Sequence, residues 1–173
     1  MCFTSGRSIY MDYTIKEISS EHDDEICHII KKIGAEYGAI GEGFGPSDLE
    51  VTAMSQNYND INKSRYLIAI KQGKIVGGCG IASFNNSNQV CELRKLFLLQ
   101  EDRGTGLGKK LTEECLAYAK SKGYNQCYLD TLSSMKVAIS LYKKLGFTHL
   151  AEPLAGTIHN SCDIWMIKDL EET

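Results

Sequence analysis

The sequence predicts an α/β fold of the α+β kind: a single domain whose mixed, mostly antiparallel sheet has about six to seven strands flanked by about four helices. Three observations predict it. The runs Arg65 to Lys71 and Lys74 to Phe84 are rich in β-formers and are joined by Gln72-Gly73, the signature of a tight antiparallel hairpin. The stretch Leu93 to Phe147 reads as an apolar strand, a glycine-rich turn opening a helix, a second strand and a second helix. No repeat or low-complexity tract interrupts the order.

From the N-terminus, residues 1 to 10 read as an irregular leader, and Met11-Asp12-Tyr13 offers an alternative start to a domain spanning 11 to 173. Tyr13 to Ile18 suits a short strand. Ser20, with Asp23 three residues on, opens a helix in the manner of a capping box, and Ile26, Ile29, Ile30, Ile33 and Tyr37 form its apolar face. Four glycines between Gly38 and Pro46 make either a substrate loop or a plain connection to a short helix over Ser47 to Ser55. After the hairpin, Asn85 to Asn88 turn the chain into a third strand, Val90 to Leu99. Leu107, Leu111, Cys115 and Tyr118 mark the buried stripe of the next helix. Asn125 to Thr131 is a strand, Ser134 an N-cap, and Met135 to Leu145 a helix stopped by Gly146. Phe147 to Ala151 and Asp163 to Lys168 complete the sheet.

Composition narrows the classes of function. A net charge of −3 leaves no basic footprint for nucleic acid, and no apolar run approaches the ~20 residues that cross a bilayer. A cytoplasmic protein is the expectation. Seven cysteines, odd in number and without a C-x-x-C pair, lie mostly in apolar-periodic segments and read as reduced, buried thiols. Near Cys162, the run Thr157-Ile158-His159-Asn160-Ser161-Cys162-Asp163 brings His, Cys and Asp together. That loop suits an anchoring or substrate-facing role, with a Cys-His nucleophile or a metal site as the alternatives; no metal is expected.

The glycine turn carries the strongest signal. In Arg103-Gly104-Thr105-Gly106-Leu107-Gly108-Lys109, glycines at alternate positions allow a sharp turn and close approach to a ligand. They also set unpaired N–H groups at a helix N-terminus, where the dipole favours an anion such as a pyrophosphate. A Walker A loop is excluded, because Arg103 stands where its first glycine belongs and Lys110 where Ser or Thr belongs. A dinucleotide G-x-G-x-x-G is excluded as well, since Gly104, Gly106 and Gly108 are followed by Lys109, Lys110 and Leu111. The pattern that fits is Arg-x-x-Gly-x-Gly, filled by Arg103, Gly106 and Gly108. With the strand before it and Leu141-Tyr142 through Gly146-Phe147 after it, the segment resembles the GNAT superfamily of acyl-CoA-dependent N-acyltransferases. The resemblance is specific from Leu93 to Phe147 and topological elsewhere.

That resemblance implies an acetyl-CoA-dependent N-acetyltransferase acting on a primary amine of a small molecule or peptide, by direct attack in a ternary complex, with a homodimer among its expectations. A non-catalytic acyl-CoA sensor of the same fold is the competing class. By motif alignment, backbone N–H groups of Phe97, Leu98 and Leu99 receive the thioester and pantetheine arm, although core packing alone would also suit their side chains. Tyr142 corresponds to the residue that protonates the departing thiolate; half-buried packing on its helix is the bland reading. Glu92, six residues before Leu98 and on the same face by strict alternation, is the first candidate base, acting directly or through water given a raised pKa or a hydrogen-bonded water chain; an ion pair with Arg94 or Lys95 is the alternative. His159 is the second candidate base. Met135 replaces the asparagine that many family members place against the pantetheine arm, leaving Ser133 or Ser134 to supply that hydrogen bond. The acidic balance points mildly to a cationic acceptor.

Overall fold

A computed structural model describes residues 13–170, so the expected leader lies outside the described residues. Strands β1 (Tyr13–Glu17), β2 (Arg65–Lys71), β3 (Lys74–Ser83), β4 (Val90–Leu98), β5 (Gln126–Thr131), β6 (Thr148–Leu150) and β7 (Ile164–Asp169) form one sheet in the order β1-β2-β3-β4-β5-β7-β6. Every pairing is antiparallel except β4 with β5. Gln72 and Gly73 both have positive φ, at 50° and 76°, as the two-residue turn of a right-twisted hairpin requires.

Helices cover both faces. On one, α1 (Asp23–Glu36) lays Ile26, Ile29, Ile30 and Ile33 against Tyr66, Ile68, Ile75 and Phe97. On the other, α3 (Leu107–Ser121) and α4 (Lys136–Lys144) bury Leu107, Leu111, Cys115 and Tyr142 against Cys79, Ile81, Leu93, Cys127 and Leu129. Burying each such aliphatic side chain is worth about 1.5–3 kcal/mol, so the two apolar stripes hold the layers to the sheet. All six described cysteines are free, four of them buried, in line with reduced packing thiols.

Three local details depart from the sequence reading. Ser19 rather than Ser20 caps the first turn: its N–H donates to His22 Nδ1 at 3.1 Å, with His22 taking the place expected for Asp23. The helix expected over Ser47 to Ser55 breaks into 3-10 turns at Gly45–Ser47 and Leu49–Thr52 before a short α2 (Met54–Asn57). Between those turns Asp48 is extended (φ −61°, ψ 143°), and its carboxylate reaches Lys95 and His159 instead of solvent. Ser134 is not an N-cap either. Met135 holds that position without a side-chain cap, and the Ser134 hydroxyl reaches only the Tyr37 carbonyl, at 3.5 Å.

A β-bulge in β4 matters most for function. Lys95 has a φ of 51° where the β3–β4 register shifts between Gly78 and Gly80. A left-handed conformation costs a residue with a Cβ roughly 1–2 kcal/mol. Its carbonyl accepts a 2.8 Å hydrogen bond from the buried Tyr66 hydroxyl, and its ammonium is buried between Asp48 and Glu50, which offsets that strain. The Tyr66 ring lies close over β3: a Cβ at Gly78 or Gly80 would come within 2.6 Å of it. These glycines therefore make room for the buttress beneath the bulge.

Candidate active site

The parallel pairing of β4 and β5 stops early. It joins Val90, Cys91 and Glu92 to Gln126, Cys127 and Tyr128, and no pairing continues toward Leu98. A cavity of about 80 Å³ occupies the gap. β4 lines it from Glu92 to Phe97, and the end of β5 and its loop from Leu129 to Leu132. Met135 and Tyr142 close one side, and Phe44, Pro46, His159 and Cys162 the other.

At the end of β4 the glycine turn is built as expected. Gly104 and Gly106 have φ of 74° and 86°, and Gly106 is the N-cap of α3. A Cβ at Gly106 would meet nothing within 4 Å, so conformation and not crowding selects glycine there. The first helical bond runs from Lys110 N–H to Gly106 O at 3.1 Å. The N–H groups of Leu107, Gly108 and Lys109 are thus the orphan donors of a helix start. Asp102, buried beneath the turn, accepts from Tyr13 at 2.8 Å and Lys71 at 3.0 Å, and its carbonyl takes the Thr105 hydroxyl at 2.9 Å. Arg103 faces inward to the protein: Nε donates to Leu98 O at 3.0 Å, Nη2 pairs with Glu36 at 2.8 Å, and the guanidinium lies over Tyr37. The Lys109 side chain is exposed beside Glu113.

Of the trio Phe97, Leu98 and Leu99, the structure turns one amide toward the gap. Leu99 N–H donates to Val76 O at 2.8 Å, within the ladder with β3. Hydrogen-bonded pairs alternate along an antiparallel ladder, so Phe97 opposite Gly78 is committed likewise, and Leu98 N–H points to the β5 side. The bulge also breaks the alternation that would place Glu92 and Leu98 on one face. Leu98 packs on the α3 side and Phe97 on the α1 side, the side that Glu92 shares.

Tyr142 lies at the cavity wall, 6% exposed, its ring edge-on to Phe147, and its hydroxyl makes no hydrogen bond to any described residue. Burial pushes its phenol well above the usual value. Met135 lines the same wall, and its sulfur accepts the Thr131 hydroxyl at 3.4 Å. Ser133, one of the two serines expected to replace the missing asparagine, is already occupied: its N–H and hydroxyl both bond Asp163, at 2.8 and 2.6 Å.

On the α1 side lies a charged cluster that sequence reasoning reached only at Glu92 and His159. Glu92, 3% exposed, accepts Arg94 Nε at 2.7 Å, and His159 Nδ1 stands 3.4 Å from its other oxygen. Burial alone would push its carboxyl up, but the His159 hydrogen bond and the Arg94 charge outweigh it and hold the group below the ordinary range. The expected raised pKa is therefore reversed, and the ion pair with Arg94 is present. His159 Nδ1 lies 2.8 Å from Asp130 and Nε2 2.9 Å from Asp48. Burial opposes protonation, yet the hydrogen bonds to Asp130, Asp48 and Glu92 raise this imidazole to about 11. Flanked by a carboxylate at each nitrogen, it is an imidazolium donating from both, with no lone pair left to accept a proton; its ligand atom and those of Glu92 and Asp130 lie within 4.8 Å of one another.

The residues that sequence reasoning missed are Asp48, Glu50, Lys95 in its buried role, Asp130 and Thr157, whose hydroxyl donates to Asp130 at 2.6 Å. They are separated by up to 111 positions from their partners, and no spacing rule connects them. Cys162 lines the cavity with its thiol pushed up to about 12, chiefly by burial, which makes it no thiolate nucleophile near neutrality. Its N–H bonds the His159 carbonyl at 3.1 Å, an anchoring role for the loop.

The chain is an open-sheet α/β protein whose sheet parts beside a glycine-capped helix, and comparison with known proteins gives its class. The profile of the Acetyltransferase (GNAT) family matches residues 35–147. The uncharacterized N-acetyltransferase YjgM of Escherichia coli K12 is 33% identical over 158 residues, covering 90% of this chain and 94% of that protein. A GNAT-family acetyltransferase of Staphylococcus aureus Mu50 superposes with a TM-score of 0.80 at 21% identity, over 92% of this chain and 99% of that one. A Salmonella typhimurium structure, YncA, described as a putative acetyltransferase with its cofactor acetyl-CoA, superposes with a TM-score of 0.75 at 19% identity, over 94% and 96% of the two chains. The chain belongs to the GNAT acetyltransferase family and is an N-acetyltransferase.

Proposed function

We propose that the protein transfers the acetyl group of acetyl-CoA to a primary amine by direct attack within a ternary complex. The observation that carries this reading is the gap between β4 and β5, whose cavity is lined by both Tyr142, with its unpartnered hydroxyl, and the ionised Glu92, while the glycine turn follows the end of β4. The orphan N–H groups of Leu107 to Lys109 suit a pyrophosphate, and Leu98 N–H suits the thioester end.

In this reading the amine nitrogen bonds the carbonyl carbon as the carbon–sulfur bond breaks. The ammonium first sheds one proton to solvent to free its lone pair; Tyr142 then gives its proton to the departing thiolate, and the nitrogen's second proton leaves through Glu92 to the solvent that reprotonates Tyr142, so that one amide and one thiol are formed and one proton is released per acetylated ammonium. Glu92, held below the usual carboxylate range, is a weak base that is always ionised near neutrality. It therefore acts on the nitrogen once bond formation has made that nitrogen acidic. His159 keeps Glu92 charged and positioned instead of serving as a base. The cytoplasm suits a protein whose six described cysteines are all free, and the edge strands β1 and β6 suit pairing of two copies.

Titration with acetyl-CoA, CoA and ATP tests the cosubstrate. Micromolar binding of both CoA species with none of ATP is the expected result, followed by thiol release on adding an amine. Failure of either CoA species to bind would remove the reading.

A further inference from the structure

The charged cluster beside the cavity is one cation short. Four carboxylates, Asp48, Glu50, Glu92 and Asp130, surround three cations, Arg94, Lys95 and His159. A buried excess charge is costly unless an opposite charge reaches it.

None of the three cations is available to an incoming anion. Arg94 is engaged by Glu92, Glu50 and the Ser83 carbonyl, Lys95 by Asp48 and Glu50, and His159 by Asp130 and Asp48. A second observation points into the same cavity. The Tyr142 side chain is more than nine-tenths buried, and its hydroxyl, without a partner among the described residues, opens into the cavity. Outside, Arg94 and Phe44 border both the cavity and an open groove whose rim carries Glu42, Asp48 and Glu50. Leu49 and Ile158 flank that groove, 94% and 65% exposed. Glu42 is exposed and makes no side-chain ion pair among the described residues.

Taking the acetyl-transfer reading as its basis, we propose that the acceptor is an alkylammonium without a carboxylate, which binds as a cation and supplies the charge the cluster lacks before it sheds the proton that frees its lone pair. The cavity, about 80 Å³ and walled by Phe44, Pro46, Leu129 and Leu132 beside the charges, suits a slender, unbranched stem next to the amine. The apolar flanks receive the stem, and Glu42 receives a second cation where the acceptor has one.

The test uses pentylamine, 1,5-diaminopentane and 5-aminopentanoate, which share a stem and differ in the far group. Each is titrated calorimetrically into the full chain, and each is then assayed for thiol release from acetyl-CoA. Pentylamine and the diamine should bind and turn over at least about tenfold better than the zwitterion. The diamine should bind more tightly than pentylamine, and Glu42→Gln should erase that advantage. Equal or tighter binding of 5-aminopentanoate, or no binding of any probe, overturns the inference. Thiol release with the order reversed overturns it too and leaves acetyl transfer standing. The expected binding order without thiol release supports it and removes acetyl transfer instead.

Discussion

The two sides of β4 are built by opposite means. Toward α3, the proposed cofactor side is made of backbone: positive-φ glycines, orphan N–H groups and one inward amide, with side chains that mostly pack or point away. Toward α1, the proposed acceptor side is made of side chains: seven charged groups from β4, β5 and two loops hold one another in place. A backbone site tolerates changes of side chain but not of conformation. A side-chain network tolerates neither loss nor exchange of a member, because each removal strands a buried charge.

The contrast can be broken most forcefully at Gly106. Gly106→Glu should abolish CoA binding while leaving the fold intact, since the new carboxylate stands at the anion site, the added Cβ meets open space, and a left-handed glutamate costs only about 1–2 kcal/mol. Titration with CoA beside a thermal melt checks both halves. On the other side, His159→Gln should destabilise the protein by about 3 kcal/mol, because it leaves Asp48 and Asp130 buried without their cation. That deficit has a predictable pH dependence. A pKa raised from 6.5 to about 11 gives stability fully present below pH 6.5 and lost as pH rises toward 11. Urea unfolding of the two proteins should therefore show the gap narrowing across that window; a constant gap would mean that the imidazole contributes packing alone.

Tyr142→Phe sharpens the comparison from the wall between the two sides. It should lower kcat about 100-fold with acetyl-CoA affinity unchanged. No loss of stability should accompany it, since no hydrogen bond is removed. A wild-type rate would reduce Tyr142 to a packing residue. The smallest effect is expected at Glu36, whose half-exposed pair with Arg103 links α1 to the glycine turn. Glu36→Gln should change stability by less than about 1 kcal/mol and tighten CoA by roughly two- to threefold as Arg103 is released. Unchanged CoA affinity would show that Arg103 serves the fold alone.

The legibility of the two sides differs for the same physical reason. The hairpin turn, the isoleucine stripe of α1 and the glycine turn are local: their determinants lie within one or two helical turns of chain, so residue spacing reveals them. Ser134 failed as a cap because the chain before α4 is held instead by Ser133 on Asp163, a contact across 30 positions. Glu92 lost its expected alignment with Leu98 because one bulge at Lys95 moves every later side chain to the other face. Its carboxyl was lowered and not raised because His159, 67 positions away, arrives as a cation; nothing near Glu92 announces it.

By itself the sequence determined the order of elements, the apolar stripes that fix two layers of helix on the sheet, the glycine turn, and with them the family. These follow from periodicity and backbone freedom, which short segments carry in full. Tertiary structure alone decided where β4 parts from β5, which amide faces the gap, and that Asp48, Glu50, Asp130 and His159 meet around Glu92. Those depend on register, on a bulge and on charges brought together from distant loops, where energy is set by burial and distance in space and not by separation along the chain.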